Sequence, residues 1–243
     1  DFQLLAGTES CWLVLPVGTG ETIRTHLEKY KVASRVEVTP DVDRRIFELR
    51  GPRAGEVATA ATELLSAEDF EVTICAAGGS FFLLPKASAS GEQLTQRLPR
   101  GEGLGLRRVS AAAVGIARVE AGELAFGIDF SGENFPQETG RDADVSYTKG
   151  CYLGQEVVAR IHYRGGVQRL PRGLRFAADR MPGAGAELLF EGRSVGRATS
   201  VTQSPRFGAI GLGLLHQRGA APGTPLEVVG GGVAEVVALP FGS

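Results

Sequence analysis

Lys149-Gly-Cys-Tyr-Leu-Gly-Gln-Glu-Val-Val-Ala-Arg-Ile-His-Tyr-Arg164 gathers a thiol, a lysine, an amide, a carboxylate and two arginines into sixteen positions. That is more polar chemistry than a packing segment uses. The glycines at 150 and 154 predict a tight turn that delivers the chain into a helix. A helix start leaves backbone N–H groups pointing outward, which favours an anion there, a thiolate on Cys151 included. Lys149, two residues away, puts a cation near that thiol. Gln155 and Glu156 fall in the first helical turn, where a carboxylate gains about 0.3–1 kcal/mol from the helix dipole. Glu156 and Arg160 stand four apart. They make either a surface ion pair worth a few tenths of a kcal/mol or part of a ligand contact. His162 lies eleven residues beyond Cys151, so no cysteine–histidine dyad follows from the spacing.

Outward from this segment the patterning changes on both sides. From Arg169 onward, short apolar runs (GLRFA, AELLF, SVGRATSVT, GAIGLGLL, PLEVV, VAEVVAL) alternate with Gly and Pro turns. They predict a small antiparallel β-barrel, with Gly230-Gly231-Gly232 as a hairpin turn. Upstream, Gly122 to Tyr147 is rich in Gly, Pro, Asn and Asp and predicts a loop of the kind that carries binding groups. Ser110 to Ala121 predicts a helix capped by Ser110. Nearer the beginning, Cys11 to Val17 reads as a buried strand, followed by a helix over Gly20 to Lys31 capped by Thr19 or Thr22. Arg45 to Arg50 reads as a strand, and Gly51-Pro52 opens a helix through Leu65. Phe70 to Ala76 and Ser80 to Leu84 form a hairpin across Ala77-Gly78-Gly79. Gln93 to Leu98 is helical and Gly105 to Val109 a last strand. Strand–helix–strand–strand–helix–strand is the ferredoxin-like order.

Composition bounds the function. A chain of 243 residues with 43% hydrophobic and 22% charged side chains can bury a sizeable core. No apolar run approaches the roughly 20 residues needed to cross a bilayer, and Asp1-Phe2-Gln3 supplies no basic leader. Cys11, Cys75 and Cys151 are unclustered. The first two sit in apolar runs and read as small buried hydrophobes. This usage suits a reducing compartment, so the cytoplasm is expected, and it makes the chain a poor holder of an iron–sulfur cluster by itself. No zinc-like spacing occurs, and no resident metal is expected. A net charge of −2 argues against general nucleic-acid affinity. Five arginines at 160, 164, 169, 172 and 175, with no acidic residue among them, are either a solvated basic face or a docking strip for an anionic tail.

Lys149 to Glu156 resembles the K-G-C-[YF]-x-G-Q-E signature of the YgfZ family, folate-binding proteins related to the glycine cleavage T-protein (aminomethyltransferase). The match is complete over those eight positions and continues through Val-Ala-Arg160 and Arg164-Gly165-Gly166. Looser resemblance covers nearly the whole chain. It implies an α+β, T-protein-like fold. Residues 1–30 and 110–168 would form a discontinuous folate-binding α+β domain, 31–109 an inserted ferredoxin-like module, and 169–243 a small C-terminal antiparallel β-barrel. Relatives carry an opening module before the equivalent of Asp1-Phe2-Gln3-Leu4, so the chain reads as a fragment of that pattern.

The resemblance also implies a function: a tetrahydrofolate-binding accessory protein of iron–sulfur cluster assembly or maintenance, with an indirect effect on tRNA modification. Cys151 and Lys149 would carry the activity. Cys151 as a merely buried thiol is the plainer alternative. Arg118-Val119-Glu120-Ala121-Gly122 resembles the R-x-E-x-G segment whose glutamate meets the pterin ring in T-proteins. Glu120, Tyr152, Gln155, Glu156, Arg160 and Arg164 are therefore the expected contacts to tetrahydrofolate or a folate derivative, with Phe126, Phe130 and Tyr147 as further candidates for a flat apolar wall. The plain alternative for Glu120 is a surface carboxylate at a helix end. Expected partners are folate and iron–sulfur enzymes or their assembly proteins, without direct nucleic-acid or membrane contact, the protein itself a monomer. A folate-dependent aminomethyl- or methyltransferase is the competing reading. Against it, only Asp1 stands where T-proteins place an Asp-Asp pair. A nucleic-acid-binding protein using the arginine strip is a third.

Overall fold

Helical and strand periods in the sequence become two folding units. The computed structural model describes residues 2–6, 10–31, 34–41, 46–51, 53–65, 73–77, 80–84 and 107–242, and the chain divides into Asp1–Arg108 and Val109–Ser243.

In the first unit β1 (Gln3–Ala6) and β2 (Cys11–Val14) pair antiparallel, Gln3 opposite Val14 and Ala6 opposite Cys11. The expectation of a buried strand with a buried thiol is corrected here. Cys11 is exposed, and Trp12, Leu13 and Val14 are only half-buried. A two-stranded ribbon has no central strand, so its apolar residues keep one wet side. Cys75 lies in a strand whose side chains are outside the described part. Helix α1 (Gly20–Tyr30) starts at Thr19, but the Thr19 hydroxyl donates to the Pro16 carbonyl at 2.8 Å and caps nothing. Strand β3 (Phe47–Arg50), helix α2 (Ala54–Leu65), β4 (Thr73–Ala77) and β5 (Ser80–Leu84) follow. The sheet order is β3-β5-β4, all antiparallel, with Leu49, Ala54, Val57 and Ala58 buried. These are the first four elements of the ferredoxin-like order. Pro52, the Gly78-Gly79 turn and the helix expected over Gln93 to Leu98 lie outside the described residues. Of the expected strand Gly105 to Val109, only Arg107 to Val109 is described, and it has no regular structure.

The second unit opens with α3 (Ala111–Glu120). The Ser110 hydroxyl accepts from the Ala113 N–H at 3.2 Å, the cap its sequence predicts. Two short 3-10 turns, Pro136–Thr139 and Asp142–Asp144, interrupt the loop that follows. Helix α4 (Gln155–Arg164) then leads to the barrel strands. These are β6 (Arg169–Phe176), β7 (Glu187–Phe190), β8 (Arg193–Arg197), β9 (Ser200–Ser204), β10 (Gly208–His216), β11 (Pro225–Val228) and β12 (Val233–Val237). They form one antiparallel sheet in the order β8-β7-β11-β12-β6-β10-β9, curled into a half-barrel. The run SVGRATSVT, read as one strand, is two: Ala198 and Thr199 break it between β8 and β9.

Strand periodicity explains the barrel core. In β12, Ala234 and Val236 are buried while Val233 and Glu235 face out. Leu174, Leu188, Leu215, Leu226 and Val236 are fully enclosed, each side chain contributing about 1.5–3 kcal/mol from burial. The apolar run of β10 has a different cause, because both of its faces are covered. Ala209 and Leu215 join the barrel core, while Ile210 and Leu212 pack with Val119 of α3 and Phe241. A Cβ on Gly213 would lie 2.5 Å from the Arg197 carbonyl oxygen, so β10 accepts the β8 end only because residue 213 has no side chain.

Candidate functional site

The signature turn is built as its glycines predict. Gly154 stands immediately before α4 with φ +83°, a left-handed conformation that a side chain would strain. The Gln155 N–H returns to the Tyr152 carbonyl at 3.2 Å, and the Val158 N–H to Gly154 at 3.1 Å. No side chain caps the helix. The Glu156 and Val157 N–H groups have no hydrogen-bond partner among the described residues, which leaves the helix start receptive to negative charge.

Around this turn Ser146 acts as the clasp. Its hydroxyl accepts from the Lys149 N–H at 3.1 Å, and its carbonyl accepts from the Tyr152 hydroxyl at 3.4 Å. The Lys149 ammonium sits 4.7 Å from the centre of the Tyr152 ring. Lys149, Gly150 and Cys151 are all exposed. The plain alternative of a buried Cys151 thiol is therefore corrected: the turn carries it outward. Glu156 and Arg160 pair at 3.3 Å, both largely in water, an arrangement worth little in stability. Gln155 is half-buried, and Arg164 ends the helix with its side chain outside the described part.

Behind the turn, polar groups tie α4 to the preceding loop. The Gln137 amide donates to the Val158 carbonyl at 3.0 Å and to the Tyr147 hydroxyl at 3.2 Å, while its Oε1 is buried without a partner. Tyr147 donates to Asp142 Oδ1 at 2.5 Å and stacks on His162 at 3.8 Å between centres. His162 Nδ1 is 4.0 Å from the same carboxylate. Burial, then the bond to Asp142, push the Tyr147 phenol above its usual pKa, with the Gln137 N–H working the other way. The aromatic residues expected to form one flat wall instead occupy separate pairs: Phe126 with Phe130 edge-on, Tyr147 on His162, and Tyr152 under Lys149.

Glu120 is placed at the last turn of α3, against the barrel. Its side chain is 14% exposed. The Ser204 hydroxyl donates to Oε1 at 2.5 Å, and the Arg206 guanidinium stands 3.8 Å from Oε2. Its backbone carbonyl accepts from the Phe241 N–H. No hydrogen bond or ion pair among the described residues joins Glu120 to α4. The carboxylate keeps unused lone pairs, chiefly on Oε2, so it retains capacity for a further donor.

One buried network escaped the sequence reading. The Asp129 side chain is fully enclosed and accepts from Arg118 at 2.6 Å, from Ser200 at 2.6 Å, from Thr199 at 2.5 Å and from the Ala125 N–H at 2.9 Å. Arg118 also donates to the Glu123 carbonyl and to Ser200. This network seats α3 and its following loop on the Thr199–Ser200 corner of the barrel. Arg118 was visible only as the first residue of R-x-E-x-G; nothing local marks Asp129 as its partner.

The arginine strip does not survive as five free cations. Arg172 is half-buried and donates to the Ala220 and Pro171 carbonyls at 2.6 and 2.8 Å, and burial pushes its pKa down. Arg175 lies opposite Glu235 in the β6–β12 register. Among the described residues no group of three or more potential metal ligands occurs, and no helix is long and apolar enough to cross a membrane.

Comparison with known proteins agrees with this architecture. Residues 171–241 match the glycine cleavage T-protein C-terminal barrel domain. Proteins called tRNA-modifying protein YgfZ from Escherichia coli O45:K1 (strain S88 / ExPEC) and Escherichia coli O7:K1 (strain IAI39 / ExPEC) are each 34% identical to the chain. The first aligns over 175 residues, 68% of this chain and 52% of the relative; the second over 179 residues, 69% and 53%. The chain thus spans about half the length of the curated relatives it matches. The crystal structure of glycine cleavage system aminomethyltransferase T from Bartonella henselae superposes with a TM-score of 0.78 at 24% identity, covering 99% of this chain and 71% of that one. That likeness speaks to the fold: α+β and T-protein-like, with a C-terminal antiparallel half-barrel. With a Lys149–Glu156 stretch that matches the signature and a T-protein-like scaffold, the chain is similar to the YgfZ proteins, at 34% identity over 68% of its length.

Proposed function

We propose that the protein binds tetrahydrofolate, or a folate derivative, and acts in the cytoplasm as an accessory to iron–sulfur cluster assembly or maintenance. Its effect on tRNA modification is indirect, through iron–sulfur enzymes. The observation that carries the reading is the signature turn itself. Lys149 and Cys151 are presented to solvent by a turn that Ser146 and Gly154 hold in place. An exposed thiol beside a fixed ammonium does no packing work, so its use lies in a ligand or partner.

The chemistry of the donor set fits a folate. Glu120 keeps lone pairs for a pterin edge, which offers adjacent N–H donors. The open N–H groups of Glu156 and Val157, with Arg160, suit the carboxylates of a glutamate tail. Tyr152 and Gln155 would contact the ring system, and Arg164 the tail. The division into residues 1–30 with 110–168, 31–109 and 169–243 belongs to the same proposal, as does a monomer free of membrane and direct nucleic-acid contact. The proposal is tested in cells lacking the protein. Wild type should restore the activity of an iron–sulfur enzyme that modifies tRNA, and Cys151→Ala should not; full rescue by Cys151→Ala would remove the thiol from the function.

One observation favours a second reading, a folate-dependent aminomethyltransferase: the fold neighbour carries that name. Asp1, the only residue of this chain where T-proteins place an Asp-Asp pair, lies outside the described residues. Turnover of an aminomethylated lipoyl carrier would establish that reading, and its absence with folate bound would exclude it. The nucleic-acid reading loses support from Arg172, whose guanidinium is committed to two carbonyls.

A further inference from the structure

A cleft of about 420 Å³ opens at the end of the barrel, where the β6–β7 connection meets the β11–β12 turn. Its walls include Arg180, Met181 and Pro182 from the connection and Val228, Val229 and Gly230 from the turn. The volume is within the roughly 300–1,000 Å³ range of small-molecule sites.

Three features of the cleft point to one kind of ligand. First, the Arg180 guanidinium has no hydrogen bond or ion pair among the described residues, although Asp179 precedes it, and no acidic side chain lines the cleft. Its stem runs past the glycine turn: a Cβ added to Gly232 would lie 3.5 Å from Arg180 Cβ and 3.7 Å from Cδ. Arg180 thus lines the cleft as an exposed cation.

Second, the turn leaves a backbone donor unused. The Gly231 N–H returns to Val228 at 2.9 Å and the Val229 N–H is taken by the Glu187 carbonyl at 2.9 Å. The Gly230 N–H has no partner among the described residues. Glycines 230, 231 and 232 have φ of +103°, +111° and +100°, so the turn holds a shape that side chains would strain.

Third, part of the wall is apolar and wet. Met181 is 44% exposed and Val229 50% exposed, while Val228 is buried beneath them. Apolar surface beside an unpaired cation and a free N–H suits an amphiphilic anion.

We propose that this cleft binds a monocarboxylate bearing a short apolar tail, the carboxylate on Arg180 and the tail against Met181 and Val229. Such a group comes from a free short-chain acid or from the C-terminus of a polypeptide. The assignment is independent of the folate reading, whose residues lie outside the cleft.

Met181 is the only methionine of the chain, so isotope-labelled methionine places one methyl reporter inside the cleft. Titration of the whole protein with hexanoate should shift that signal saturably, while hexanol at equal concentration should bind about tenfold more weakly or worse. Arg180→Gln should weaken hexanoate by a similar factor and leave the free signal in place. A second arm uses an acetylated tripeptide ending in leucine, with its C-terminal amide as control. Tighter binding of the peptide acid than of hexanoate would uphold the site and identify polypeptide ends as its ligand; the reverse would uphold it for free acids. The proposal is overturned if hexanol matches hexanoate, if Arg180→Gln binds hexanoate as wild type does, or if neither acid moves the methyl signal.

Discussion

Glu120 accepts from Ser204 on one oxygen and has Arg206 3.8 Å from the other, so under the proposed folate role its substitutions separate two effects. Glu120→Gln should retain the Ser204 bond and stability within about 0.5 kcal/mol, yet lose folate affinity by about tenfold or more, since the lost contact is charge-assisted. Equal affinity in calorimetry would remove the carboxylate from the site. Cys151 behaves in the opposite way. Being exposed, its replacement by Ala should leave the urea midpoint unchanged within about 0.5 kcal/mol, and the loss should show only in cellular function. Asp129→Ala leaves Arg118 without its buried counter-charge and should cost about 3–5 kcal/mol in urea unfolding; a loss under about 1 kcal/mol would mean the corner is held by packing alone. For Tyr147 the sign follows from its raised pKa. A phenol whose folded pKa exceeds the usual value near 10 contributes stability in full below that value and loses it as pH rises through the folded one. Tyr147→Phe should therefore lessen the fall in stability above about pH 10, measured by urea midpoints on either side.

At the scale of elements, the barrel depends on glycines at its crossings. Gly213→Ala sets a methyl against the Arg197 carbonyl, and backbone cannot swing aside as a side chain can. A loss of about 1–3 kcal/mol is expected, whereas Gly165→Ala, with open space around it, should stay within about 0.5 kcal/mol. Thermal unfolding of the pair decides. These elements also mark how far the sequence could be read. Alternation in β12 and the cap at Ser110 are local signals, and both fold as their residues suggest. The α4 start was legible because Gly154 takes a conformation that glycine alone adopts freely. By contrast, the run Cys11–Val14 looks buried by composition, yet apolar content does not say how many strands or layers will cover it. The break at Ala198-Thr199 was hidden because both halves carry strand-like residues. It is fixed from afar: the Ala198 N–H bonds to the Ala186 carbonyl and the Thr199 N–H to the Leu212 carbonyl.

For the whole molecule, the candidate site was legible only as far as its motif runs. Lys149 to Glu156 identifies the turn, and Glu120 enters through R-x-E-x-G. The Arg118–Ser200 and Ser200–Asp129 contacts span 82 and 71 positions, and no local pattern encodes such pairs. Arg172 drops out of the five-arginine strip for the same reason: it reaches Ala220 across 48 positions, a partner that charge counting does not reveal. What the fold adds is a division of labour within Val109–Ser243. The barrel and the Asp129 network fix Glu120, while the turn before α4 presents Cys151 and Lys149 outward. Titration calorimetry of tetrahydrofolate into the complete protein tests this account most directly. It predicts saturable, near-stoichiometric binding that Glu120→Gln weakens by about tenfold or more and Cys151→Ala leaves intact; no saturable heat with the wild-type protein would contradict it.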